Sequence, residues 1–174
     1  MANVNFAKWV RMKGRAANPV IHRTRLNGGF PWLERPGFVW ECEIAIGDFT
    51  GEGDTSQDLD LDALYPGSPF INNVWLEPGA HIVPLVAFAG GAVNAVTMAL
   101  GDAGAFNGLV TASSVFSGVT IGSPIATPAA TEYALRYESS FRPQVRIVTT
   151  NGNVSALEDG RALVRIPFTP AREV

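Results

Sequence analysis

Phe38-Val-Trp-Glu-Cys-Glu-Ile-Ala-Ile46 alternates strictly, with Phe38, Trp40, Cys42, Ile44 and Ile46 on one side and Glu41 and Glu43 on the other. A period of two over nine residues is that of a half-buried antiparallel strand. Ser56-Gln-Asp-Leu-Asp-Leu-Asp62 repeats it, with Leu59 and Leu61 inward and Asp58, Asp60 and Asp62 outward, before Tyr65-Pro-Gly-Ser-Pro69 turns the chain. Working outward, further strands are expected at Phe70–Leu76, Ala80–Phe88, Ala95–Leu100, Val115–Ile121, Glu132–Tyr137, Gln144–Thr149 and Arg161–Phe168. Their separators are turn chemistry: Glu-Pro-Gly at 77–79, Gly-Gly at 90–91, the Gly101 to Gly108 and Gly122 to Pro128 stretches, Asn-Gly-Asn at 151–153 and Glu-Asp-Gly at 158–160. Turn signals every 8–12 residues or so are the spacing of two-sheet folds. The expectation is an all-β chain: a single jelly-roll-like β-sandwich of about eight or nine antiparallel strands over residues 38–174.

Size and composition agree. The 174 residues suffice for one core, and 18 Gly with 12 Pro suit a chain of many turns rather than a helical bundle. At 47% hydrophobic and 17% charged, the chain is poorer in charge than an average globular domain, as suits a surface covered by partners. Cys42 is the single cysteine, so the fold has no internal disulfide, and its place between Trp40 and Ile44 makes it a buried structural thiol. The N-terminus lacks the apolar core of a secretory signal, and the most apolar stretch, Ile82 to Val96, is interrupted by Pro84, Gly90, Gly91 and Asn94. Synthesis in the cytoplasm and no membrane partner are expected.

The net charge of −3 is unevenly placed. In the first 35 residues Lys8, Arg11, Lys13, Arg15, Arg23, Arg25 and Arg35 face one acid, Glu34. Between Gly37 and Gly79 the acids Glu41, Glu43, Asp48, Glu52, Asp54, Asp58, Asp60, Asp62 and Glu77 occur without a Lys or Arg. Residues 1–37, with Pro19, Gly28, Gly29, Pro31 and Pro36, read as a basic, largely irregular arm, or as an extra edge strand on the body. Trp9, Arg11, Lys13, Arg15, Arg23, Arg25, Phe30 and Trp32 are its candidate interface residues, because aromatics and Arg dominate interface energies. Trp75 is assigned to the core. Arm and belt are complementary, so one copy's arm is expected to reach the next copy's belt.

Chemistry-bearing motifs are missing. The acidic loop fails the EF-hand template, since Leu59 stands where the turn glycine belongs, and Asp58, Asp60 and Asp62 on one strand face would lie about 7 Å apart, too spread for one ion. His22 and His81 sit in no metal-ligand spacing, there is no Gly-x-Ser-x-Gly, and Gly101-Asp-Ala-Gly104 lacks the Gly-Lys-Ser/Thr ending of a phosphate loop. No enzyme, cofactor or metal is expected. Nucleic acid is the partner to test against a basic arm, but a pI near 5.3 and the lack of a nucleic-acid-binding motif favour a protein surface.

Val83-Pro-Leu-Val-Ala-Phe-Ala-Gly-Gly91, Ala95-Val-Thr-Met-Ala-Leu100 and Gly101-Asp-Ala-Gly-Ala-Phe-Asn-Gly-Leu-Val110, within Leu76 to Phe116, resemble a pattern of small virion proteins of tailed bacteriophages. Thr131-Glu-Tyr-Ala-Leu-Arg-Tyr137, Thr150-Asn-Gly-Asn-Val-Ser-Ala-Leu157 and Leu163-Val-Arg-Ile-Pro-Phe168 extend the resemblance to about two-thirds of the chain. It implies a capsid decoration (cement) protein on the virion surface, homo-dimeric or homo-trimeric, that binds the major capsid protein. The alternatives are a tail, neck or head-fibre protein, and, in a different class, a carbohydrate-binding β-sandwich module. The last would show a planar row of exposed aromatics.

Overall fold

A computed structural model of the chain describes residues 20–26, 35–49, 53–71, 74–125, 135–137 and 141–170. In chain order the strands are β1 (Val20–Leu26), β2 (Arg35–Ala45), β3 (Ser56–Asp60), β4 (Val74–Leu76), β5 (His81–Ala89), β6 (Ala95–Gly101), β7 (Val110–Ser114), β8 (Leu135–Tyr137), β9 (Gln144–Thr150) and β10 (Asp159–Pro170). One four-residue helix, α1 (Leu61–Leu64), follows β3. All ladders among these strands are antiparallel.

The strands pair in a nest. β2 lies beside β10, β3 beside β9, β4 beside β8, and β6 beside β7. One sheet therefore runs β2-β10-β4-β8 with β5 also on β10, and the other runs β3-β9-β6-β7. This is the double Greek key of a jelly roll, with β1 added outside β2. Both sheets contribute to one core, from Trp40, Ile44, Val164, Ile166 and Phe168 on one side to Val96, Met98, Leu100, Val145 and Ile147 on the other. Each such apolar side chain, once fully buried, stabilises the fold by about 1.5–3 kcal/mol.

The opening stretch behaves as its alternation requires. Trp40, Cys42 and Ile44 are buried and Phe38 and Ile46 pack against the core, while Glu41 and Glu43 stay half-exposed. The second stretch stops sooner than its pattern suggests. Strand β3 ends at Asp60, whose carboxylate accepts from the Asp62 and Ala63 amides and caps α1. Leu59 and Leu61 are still buried, but Asp62 is on a helix rather than in a row with Asp58 and Asp60. Phe70–Leu76 likewise divides into a 3-10 turn at Pro69–Ile71 and the short β4.

Glu-Pro-Gly at 77–79 does not reverse the chain. β4 and β5 run in the same direction along one edge of β10, with Leu76 opposite Phe168 and His81 opposite Arg165. Residues 77–80 thus face only residues 166–167, making a bulge in what is one broken strand. The Pro167 carbonyl accepts from the Glu77 amide at 3.0 Å, so the donor that proline lacks also falls on the bulged side. That is where a long internal strand tolerates a proline.

Val115–Ile121 is not a strand either. Among the described residues, 115–125 crosses from the end of β7 to the outer edge of β5 by isolated contacts: Phe88 pairs with Phe116, and Ile82 exchanges both backbone hydrogen bonds with Ile125. β7 lies earlier, at Val110–Ser114. The basic arm is not wholly irregular: Val20–Leu26 pairs with β2 over its full length, the edge-strand alternative.

An aromatic cluster joins the two ends of the nest. Phe70 meets Trp40, Phe141 and Phe168 at centroid distances of 5.4, 5.5 and 5.3 Å, each edge-on, and Tyr65 lies edge-on to Trp40 at 6.4 Å. The Tyr65 hydroxyl donates to the Glu43 carbonyl, which ties the segment after α1 to β2.

Candidate interaction surfaces

Part of the acidic belt is engaged by the body itself. Glu41 accepts from Arg165 Nε at 2.5 Å across a direct β2–β10 register pair, and Glu43 lies 3.3 Å from Arg161 Nη1 on the diagonal. On the other sheet Asp58 holds Arg146, its register partner, through two bonds of 2.6 Å. Three further acids cap and brace. Asp48 accepts from the Ala45 amide at 2.8 Å, Asp60 caps α1, and Glu77 accepts from the Thr169 hydroxyl at 2.9 Å. Three of the nine belt acids, Glu41, Glu43 and Asp58, thus hold arginines of their own chain. Exposed pairs of this kind contribute about 0.2–1 kcal/mol each, and favour one strand register over its neighbours.

The arginine at Asp58 is placed by three elements. β9 sets Arg146 opposite β3, and the loop after β6 brings Phe106 beneath the guanidinium, 3.5 Å from its carbon to the ring centroid. Asp102 shapes that loop by accepting from the Gly104 and Ala105 amides at 2.9 and 2.7 Å. The hydrogen bond from Arg146 holds the Asp58 carboxyl below its ordinary range. Phe106 is the one aromatic among the exposed large hydrophobic side chains of the described residues.

Asp62 differs from the other acids. Its Oδ1 is buried without a hydrogen-bond partner, and burial raises its carboxyl above the usual value, the hydrogen bond to Ser68 opposing. Cys42 is buried between its strand neighbours, and burial pushes its thiol well up, which leaves it protonated and unreactive. His81 places Nδ1 2.7 Å from the Gly79 carbonyl, a strand-end contact beside the bulge.

Of the arm's candidate interface residues, the structure places two. Arg23 stands opposite Phe38 and Arg25 opposite Pro36 in the β1–β2 ladder, and His22 stands opposite Val39. Trp9, Arg11, Lys13, Arg15, Phe30 and Trp32 lie outside the described residues. Trp75, assigned to the core from sequence, is half-buried between buried Val74 and Leu76, and so lies on the face of β4 turned from the core. Sequence reading missed Arg146 and Phe106. Arg146 alternates outward on a strand that was recognised, but its meeting with Asp58 depends on a register between strands 88 residues apart.

Among the described residues, no helix is long and apolar enough to cross a membrane, and no group of three or more His, Cys, Asp or Glu side chains is placed to hold a metal ion. No protein-family model matches the chain, and no curated protein matches it. Among solved structures it is similar to a chain of the "Cyanophage Pam1 capsid asymmetric unit", with 21% identity and a TM-score of 0.49 over 98% of this chain and 100% of that one.

Proposed function

We propose that the chain is a structural protein of a tailed-phage virion, of the decoration or cement type, which binds the major capsid protein shell, self-associates and stabilises the head. On this reading it performs no reaction and takes no cofactor. The observation that carries it is the nested strand pairing, β2 with β10, β3 with β9, β4 with β8 and β6 with β7. This jelly roll is an architecture of viral capsid proteins and also of lectins. The phage-like pattern of Leu76 to Phe116 favours the first. The lectin reading calls for a planar row of exposed aromatics, whereas Phe106 is stacked under Arg146.

The body suits such a role. Its outer faces are cross-linked by Glu41–Arg165, Glu43–Arg161 and Asp58–Arg146, which stiffens both sheets. The arm before β1 holds Lys8, Arg11, Lys13 and Arg15 with Phe6 and Trp9, and supplies charge and anchors for an acidic surface of the shell. Removing residues 1–16 leaves β1 on β2 and tests the arm alone. Full-length protein is expected to co-sediment with expanded heads of its phage, less tightly as salt rises. The truncated protein is expected to bind at least about ten-fold more weakly. Equal binding by both proteins would remove the arm's role, and attachment to tails or necks instead of heads would favour the other virion parts.

A further inference from the structure

Among the buried side-chain nitrogen and oxygen atoms of the described residues, Asp62 Oδ1 is the one without a hydrogen-bond partner. An ionised carboxylate holds water tightly, so an oxygen shut away from both water and donors favours any state that hydrates it.

The segment around it is held by a small set of ties. Helix α1 is a single turn, too short to be stable alone. The Leu61 amide donates to the Pro143 carbonyl at 3.0 Å and the Tyr65 amide to the Leu61 carbonyl at 2.9 Å, while the Tyr65 hydroxyl reaches the Glu43 carbonyl. The Phe70 amide donates to Ser68 Oγ at 3.3 Å, and the buried Ser68 hydroxyl donates in turn to the Asp62 carboxylate. Asp62 and Ser68 thus clasp α1 to the 3-10 turn that carries Phe70 into the aromatic cluster. Burial is the largest influence on the Asp62 carboxyl and raises it, with the Ser68 bond opposing. The charged groups acting on it among the described residues are Asp60, at the end of β3, which repels it, and Arg142, before β9, which attracts it.

We propose that residues 61–71 are a clasp that acid tightens. With Asp62 ionised, the segment opens locally so that water reaches Oδ1, and with Asp62 protonated it stays closed over Tyr65 and Phe70. Such opening lies below global unfolding and leaves the two sheets intact. The folded carboxyl is raised, so the closed clasp gains stability as pH falls through that raised value, and the gain is complete below the unfolded one. Asp58 titrates on the other side of the ordinary aspartate value, because Arg146 lowers it, so the two effects separate in pH. This inference is independent of the virion reading.

Hydrogen exchange of the full chain, corrected for the intrinsic pH dependence of exchange, tests it. Between neutral pH and the ordinary aspartate value, the opening constant of the Tyr65 and Phe70 amides is expected to fall at least about three-fold, while that of Phe88 in β5 stays level. Asp62→Asn is expected to give low opening at neutral pH and no dependence across this range. Ser68→Ala removes the donor that favours the ionised form, so the fall is expected at higher pH than in the wild type. That shift decides the matter if Asp62→Asn fails to fold. Opening of residues 61–71 that ignores pH, that follows pH equally in Asp62→Asn, that changes in step with Phe88, or whose midpoint Ser68→Ala leaves in place overturns the proposal.

Discussion

Single residues decide where this fold bends. Gly160 opens β10 at a bulge against β5, and a Cβ built there would lie 2.3 Å from the Phe88 ring, which is itself fully buried. Neither partner has room to move, so Gly160→Ala is expected to destabilise by about 1–3 kcal/mol, read as a lower midpoint in urea unfolding. Asp62 gives a prediction of opposite sign. Its folded carboxyl is raised by burial, so ionised Asp62 opposes folding at neutral pH, and the penalty disappears as pH falls through its raised value towards that of the unfolded chain. Asp62→Asn is expected to stabilise at pH 7 by less than about 1 kcal/mol, the group being partly solvated, and to have little effect below the unfolded value. Asp58 runs the other way. Its lowered carboxyl makes the Arg146 pair stabilising above the unfolded value, and that contribution is lost as pH falls through the folded one. Thermal melts of Asp62→Asn and Asp58→Asn across acid pH distinguish these slopes.

At the scale of elements, the aromatic cluster is the joint between the strands and the 3-10 turn that carries Phe70. Phe70 is fully buried and touches Trp40 of β2, Phe168 of β10 and Phe141 just before β9. Phe70→Ala removes three edge-on contacts and leaves a cavity, and is expected to destabilise by about 3–5 kcal/mol in chemical denaturation. Strand β2 was legible from sequence because burial on one face imposes a strict alternation that nothing local contradicts. β3 was legible only to Asp60. Leu59 and Leu61 continue the alternation into α1, and an Asp at the boundary reads equally as an outward strand residue and as a cap. Val115, Ser117, Val119 and Ile121 mimic a strand for the same reason, while the positive φ of Gly118 and Gly122 makes turns there instead. Glu77 to Gly79 has turn chemistry but bulges, because β10 passes unbroken beside it. That depends on a strand some ninety residues later, as the Asp58–Arg146 pair depends on register.

For the molecule as a whole, the nested pairing places the two halves of the chain strand against strand. β10 is the longest strand and is paired along both edges, with β2 on one side and the broken β4–β5 strand on the other. Its outward arginines, Arg161 and Arg165, pair with Glu43 and Glu41, two acids of the stretch that looked from sequence like a docking belt. The central claim is that this body is a repeated part of a virion shell. The most direct measurement is cryo-electron microscopy of purified phage particles, with the copy number taken from the density. The account predicts a two-sheet jelly roll with the β2-β10-β4-β8 and β3-β9-β6-β7 orders, seated on the outside of the head in a fixed ratio to the major capsid protein. Particles complete without this chain would contradict it.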